Sequence, residues 1–216
     1  MPALLESPPN PITLNEVAAI SQSLAEDLAK LQLRTEGFTE ADYMTLDGSY
    51  FVEYVDGRLQ VLPMPESIHQ VLAFLLCSML TDFARRDPGD RVLMAPFKIK
   101  LRDGQYREPD VCYMLAVNAH RRMRTHWNGA DLIIEVISES NRDHDTITKR
   151  REYEINGVPE YWLVDPSHRS ISILTLDGST YAVHGEFRDG QVARSKLLSG
   201  FAVDVTRLFD DAASAA

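Results

Sequence analysis

The seven residues DLIIEVI at positions 131–137 constrain this chain more than any other stretch. They show no apolar–polar alternation, and their Ile and Val content favours extended backbone, so the pattern predicts a strand buried on both faces. Such a strand demands a sheet with further layers on either side. One residue breaks the pattern, Glu135. A carboxylate inside a buried strand must be paired, protonated or bound to a cation, because an isolated charge in apolar surroundings is strongly unfavourable.

The rest of the sequence supplies partners for that strand. Asp56-Gly57 and Asp103-Gly104 accept the positive φ angles of tight hairpin turns. They predict hairpins over 51–62 and over 92–115, the second with arms 92–101 and 105–115. Between them, Val71, Leu72, Leu75, Leu76, Met79, Leu80 and Phe83 give residues 67–86 the broad apolar face of a helix laid across a sheet. A charged helix is expected over 143–156, stopped by Gly157 and Pro159, with further strands over 161–164 and 171–176. Near the N-terminus, Thr13 and Glu16 form a capping box. Val17, Ile20, Leu24, Leu28 and Leu31 then recur at helical spacing to about residue 33. A second start signal, Thr39 to Asp42, predicts a brief helix ending near Asp47-Gly48. The order predicts an α/β fold, a mixed sheet flanked by helices with an N-terminal helical extension. Its parts are an extension over 1–37 with a disordered start, a domain over 38–210, and a disordered tail over 211–216.

Composition narrows the function classes. Lys and Arg number 22 against 32 Asp and Glu, a net charge of −10, which argues against coating nucleic acid through charge alone. An enzyme with one local basic face stays open. The longest apolar run, 71–80, falls short of the ~18 residues a membrane span requires. MPALLESPPN has neither the basic start nor the apolar core of a secretory signal, so a cytoplasmic protein without a membrane partner is expected. Cys77 and Cys112 lie in apolar runs without paired spacing, which suits buried thiols. No GxxxxGK[ST], strand-linked GxGxxG, HExxH or GxSxG occurs.

The chemistry then falls to a pair of acids. Asp110 follows Pro109 and opens the apolar run VCYM. On neighbouring strands, Asp110 and Glu135 would converge on one hard-cation site, and Mg²⁺ takes oxygen ligands while keeping several waters. Alternatively both face outward or pair with Arg or Lys. Asp145, Lys149 and Tyr153 are spaced four apart and share a helix face. The ammonium would reach the carboxylates to orient a water or stabilise phosphate charge, or it forms a solvated Asp–Lys pair. Residues 120–127, with Arg121, Arg122, Arg124 and Trp127, read either as a loop meeting phosphates and stacking on a base or as an ordinary solvated loop.

EPDVCYM together with DLIIEVISESNRDHDTITKRREYEINGVPEYWLVDP resembles the PD-(D/E)xK nuclease-like superfamily. More narrowly, the sequence resembles the bacterial Uma-two family of restriction-endonuclease-like proteins. The resemblance covers about 38–209, including YFVEYVDGRL, the helix of His69 and LLSGFAVDVTRLF. It implies a restriction-endonuclease-like fold whose mixed sheet presents acids to a divalent metal. Asp110 matches the Asp of the PD element and Glu135 the acid of the second. Ile137 stands where the standard pattern has Lys, and the resemblance implies that Lys149, from the next helix, takes over that place. Glu53 and His69 match positions commonly held by Glu and His.

The activity so implied is Mg²⁺-dependent hydrolysis of phosphodiester bonds in DNA, with Mn²⁺ as substitute. Asp110, Glu135 and the carbonyl of Val136 would hold the ion, and Lys149 would position water. Glu53 would be a further ligand, directly or through water, or else an exposed acid opposite Arg58. His69 would contact substrate or bond the backbone at a helix start. Tyr153 would bond a site carboxylate or simply pack, and Ser138 would cap the following turn or support the site. Two other readings are a binding or regulatory protein that keeps the scaffold without cutting, and a metal-dependent hydrolase of a small nucleotide or phosphorylated substrate. A homodimer is expected of many such nucleases, with 14–33 as its candidate interface.

Overall fold

The computed structural model describes residues 36–46 and 52–216. The expected helix and interface over 14–33, and the Asp47-Gly48 stop, lie outside the described residues. A capping box between Thr39 and Asp42 starts α1 (Glu40–Thr45), as that pattern predicts. The first hairpin follows, β1 (Val52–Val55) and β2 (Arg58–Val61), with Asp56 at φ 46° and Gly57 at φ 84° in its turn.

Helix α2 (Ser67–Ala84) has the length and hydropathy of a membrane span, yet one face of it packs against protein while Phe74 is exposed. Leu72, Leu76 and Leu80 are fully buried in the main core. The helix packs on the six-stranded sheet described below and on the C-terminal helix α4 (Val205–Ala215). Residues 211–216, expected as a disordered tail, continue α4 as far as Ala215, because Ala212 is buried against the same core.

The second hairpin departs from its expected form. Its turn at Asp103-Gly104 is present, but each arm is broken in two. The strands are β3 (Arg91–Met94), β4 (Lys98–Arg102), β5 (Gln105–Arg107) and β6 (Val111–Met114). Pro96 and Pro109 stand at the two breaks. Neither can donate a ladder hydrogen bond, so the ribbon bends there and passes from one sheet to another. β4 and β5 join β1, β2 and β7 (His126–Asn128) in a five-stranded sheet ordered β2-β1-β5-β4-β7. β3 and β6 join β8 (Leu132–Val136), β9 (Glu160–Asp165), β10 (Ser170–Asp177) and β11 (Thr180–Arg188) in a six-stranded sheet ordered β11-β10-β9-β8-β6-β3.

β8 is the buried strand that its sequence predicts. Leu132, Ile134 and Val136 enter the core beneath α2, while Ile133 and Ile137 enter a second core with Tyr153, Tyr161 and Trp127. The parallel pair β8–β9 and the antiparallel pair β6–β8 make the sheet mixed. A short hairpin, β12 (Val192–Arg194) with β13 (Ala202–Asp204), completes the chain before α4.

The basic stretch 120–127 divides between its readings: Arg124 is exposed, as in a solvated loop, while Arg121, Arg122 and Trp127 are taken up by the fold. A 3₁₀ turn covers Ala116–Arg121, and Trp127 is buried in β7, so its ring is not free to stack on a base. The Arg122 guanidinium donates to the carbonyls of Gly89, Met114 and Leu115. Arg121 donates to Asn128 O and pairs with buried Asp131. These arginines satisfy backbone carbonyls and a buried acid, which is a structural use of charge.

Candidate active site

The bend at Pro109 sets Asp110 at the start of β6. The register Val111↔Ile134 brings it level with Glu135 on β8. Val136 N–H donates to Asp110 Oδ2 at 2.7 Å, so the two acids of the sequence reading meet at the same end of adjacent strands. His69, from the first turn of α2, places Nε2 3.1 Å from that same Oδ2. On the other side, Glu135 Oε1 accepts from Tyr153 Oη–H at 2.7 Å and lies 3.0 Å from Lys149 Nζ. Tyr153 does both things expected of it, since its ring also packs edge-on against Tyr161.

Lys149 reaches this point because the predicted charged helix begins irregularly. His144–Lys149 form a π-helical turn, and regular α-helix, α3 (Arg150–Ile155), follows. Single π-turns recur at functional sites. Lys149 Nζ also lies 3.2 Å from Asp145 Oδ1 and 3.8 Å from Glu53 Oε1. Ile137, at the position where the standard nuclease pattern has Lys, is buried in the second core.

These groups open on a cavity of about 300 Å³ whose wall includes His69, Asp110, Glu135, Val136, Asp145 and Lys149. Ser138 also lies on the wall and makes no capping bond to the turn after it. Glu53 does not line the cavity. It is fully buried behind Lys149, where Arg107 meets it at 2.7 Å, and Gln60, not Arg58, stands opposite it in the β1–β2 register. The expectation of an exposed acid therefore fails, and direct ligation into the cavity is not supported.

The electrostatics follow from burial with a surplus of acid. Six acids line the wall with one ammonium, and Asp110, Glu135 and Asp145 are the three gathered around Lys149. Burial pushes the Glu135 carboxyl up to about 8, with Asp110 and Asp145 adding to the effect and Lys149 and Tyr153 opposing it. Burial alone would weaken the hold of Lys149 on its proton. The surrounding carboxylates, Glu135 foremost, outweigh burial and keep the ammonium charged. Glu53 shows the opposite balance to Glu135: Lys149, Arg107 and His144 overcome its burial and hold it ionised. Glu108, a wall residue two before Asp110, is pushed by burial up to about 7, and its Oε2 has no partner.

A divalent cation suits this donor set. The wall carries more carboxyl groups than cations, and burial among them is what raises the Glu135 carboxyl. Among the described residues no group of three or more His, Cys, Asp and Glu converges on one point. The groups that could hold such an ion are the Asp110 and Glu135 carboxylates and the Val136 carbonyl, with water left to fill the remaining positions.

Comparison with known proteins gives the chain a family and a fold. A family model described as "Putative restriction endonuclease", Uma2, matches residues 40–206. The chain belongs to the Uma2 family. This is the family that the sequence motifs resemble. A crystal structure titled as a "putative nuclease belonging to DUF820" from Anabaena variabilis ATCC 29413 shares the fold of this Uma2 protein. The two align with a TM-score of 0.65 and 16% identity, over 81% of this chain and 99% of the other. No curated protein matches the chain.

Sequence reasoning missed three contributors to the site. Arg107 and His144, which hold Glu53, lie close in sequence to Asp110 and Lys149 but carry no motif. Glu108 was visible only as part of the EPD run.

Proposed function

We propose that this Uma2 protein is a Mg²⁺-dependent endonuclease that hydrolyses phosphodiester bonds in DNA, with Mn²⁺ able to replace Mg²⁺. The observation that carries the reading is Lys149 Nζ at 3.0 Å from Glu135, on the wall of a cavity that also contains Asp110. Asp110, Glu135 and the carbonyl of Val136 would hold the ion. When bound, the ion supplies positive charge to a phosphate oxygen and acidifies a coordinated water.

The chain's own residues do the rest. His69 and the Val136 N–H fix the orientation of Asp110. Tyr153 fixes that of Glu135. Lys149, kept charged by the acids around it and set on the cavity wall, orients the attacking water and stabilises charge developing on the phosphate. Asp145, 3.2 Å from Nζ, keeps the lysine from swinging away.

The direct test is incubation of supercoiled plasmid with the protein in Mg²⁺, in Mn²⁺ and in chelator. Nicked and linear product in either metal, and none in chelator or with Lys149→Met, supports the reading. An intact plasmid in every condition rejects it. A second reading, hydrolysis of a small nucleotide, is favoured by one observation: among the described residues lining the cavity, Lys149 is the only Lys or Arg. Phosphate release from mononucleotides, with plasmid left whole, would select that reading.

A further inference from the structure

Glu53 lies outside the cavity, yet it contacts more of the machinery than any wall residue. Its Oε2 is 2.7 Å from Arg107 Nη1 and 3.3 Å from His144 Nε2. Its Oε1 accepts from the Glu108 N–H at 3.3 Å and is 3.8 Å from Lys149 Nζ. Arg107 in turn donates twice to Glu152, at 2.7 and 2.6 Å. One carboxylate from β1 and one guanidinium from β5, both in the five-stranded sheet, thus grip His144, Lys149 and Glu152 along a single helical segment.

The backbone of that segment makes the double contact with Glu53 possible. In an α-helix each residue turns by about 100°, so residues five apart point about 140° away from each other. His144 and Lys149 are five apart. The π-turn, with its i→i+5 bonding, realigns them. Both therefore face Glu53, and Asp145 remains beside Lys149 on the cavity wall. Tyr161, from β9, donates to the carbonyl of Asp145 at 3.0 Å within the same turn.

We infer that Glu53 is a positioning residue that, with the π-turn, holds the Lys149 ammonium on the cavity wall from behind, against the pull of Glu135 and Asp145 in front. The inference rests on the nuclease reading for its catalytic consequence but not for its geometry, so two measurements separate them. The first is plasmid cleavage by Glu53→Gln, a variant that keeps shape and removes charge. The rate constant should fall ~100-fold, as a small misplacement of a catalytic group does, with KM held within about twofold. The second uses protein labelled with ¹⁵N-lysine. The buried Lys149 ammonium should give a slowly exchanging cross-peak in the parent protein that Glu53→Gln broadens or removes.

Should Glu53→Gln not fold, His144→Gln loosens the same grip and should shift that cross-peak. Either readout unchanged in a folded variant overturns the inference. If the parent protein cleaves nothing, the nuclease reading fails, and the cross-peak alone then decides: its loss supports the positioning role and its persistence refutes it.

Discussion

Asp110 and Lys149 sit on the same wall but call for different experiments. Asp110 makes its two contacts through Oδ2, to the Val136 N–H and to His69, and Asn can keep the first of these while losing the charge. Asp110→Asn should leave the fold intact and weaken Mg²⁺ or Mn²⁺ binding by at least ~100-fold, the scale at which even supporting contacts to a metal ligand matter. Titration calorimetry reads this directly, and an unaltered isotherm would remove Asp110 from the site. Lys149 is 4% exposed and surrounded by acids. Taking out one member of a buried ionic group leaves the others uncompensated, so Lys149→Met should cost about 3 kcal/mol of stability as well as abolishing cleavage. The acids left behind can relieve the loss by taking up protons. The stability deficit should therefore be larger at pH 8 than at pH 6, as measured by urea unfolding at both values. A lysine in a solvated pair would show neither effect.

At the scale of elements, the cavity's far rim depends on the end of β9. Asp165 there accepts from Arg142 at 2.6 and 3.2 Å and from the His168 N–H at 3.2 Å, and so ties the turn of Glu139 and Asn141 to the sheet. Burial alone would raise the Asp165 carboxyl, but these hydrogen bonds outweigh it and hold it below its usual 3.8. A carboxyl with a depressed folded-state pKa contributes stability that is fully present above the unfolded value and lost as pH falls through the folded one. Asp165→Asn should therefore lower stability by about 2 kcal/mol at pH 7, a charge-assisted hydrogen-bonding contribution. The gap to the parent should begin to narrow as pH falls below the unfolded value of ~3.9 and go on narrowing as pH falls through the lower folded one. Thermal melts across pH 3 to 7 trace it, and a gap independent of pH would mean that charge plays no part.

The same scale shows what the sequence made legible. The double-faced burial of β8, the Asp56-Gly57 turn and the long α2 follow from local pattern, because turn chemistry and apolar periodicity are properties of short stretches. The break of the second hairpin was written in Pro96 and Pro109, but the alternation of its arms masks it until both prolines are weighed as missing donors. The π-turn at His144–Lys149 was not legible, since its cause is tertiary: Glu53, Glu135 and Tyr161 draw in side chains and a carbonyl that a regular helix would spread around its axis. For the site, the acids announced themselves by interrupting apolar runs. Arg107 and Glu108 did not, because charged residues next to a proline look like surface until burial is known.

On the scale of the whole molecule, one side chain ties the five-stranded sheet to the helical segment that packs on the six-stranded one. Arg107 is 2% exposed on β5, paired with Glu53 from β1 and with Glu152 from α3, while α3 packs under the six-stranded sheet through Tyr153 and Tyr161. A buried ionic group of this kind contributes little over a well-packed apolar replacement of all its members, but removing one member alone is costly. Arg107→Met keeps the volume and leaves Glu53 to His144 and Lys149, with Glu152 released toward solvent. Stability should fall by about 3–5 kcal/mol, which in a chain of this size corresponds to a drop in Tm of roughly 10 °C. The triple replacement Glu53→Leu, Arg107→Met and Glu152→Leu should recover most of that loss while remaining inactive, because it rebuilds the packing without the grip on Lys149. Calorimetric melts of the two variants, run beside the cleavage assay, decide the matter. A triple variant that cleaves like the parent would show that the link between the five-stranded sheet and the helical segment serves the fold alone.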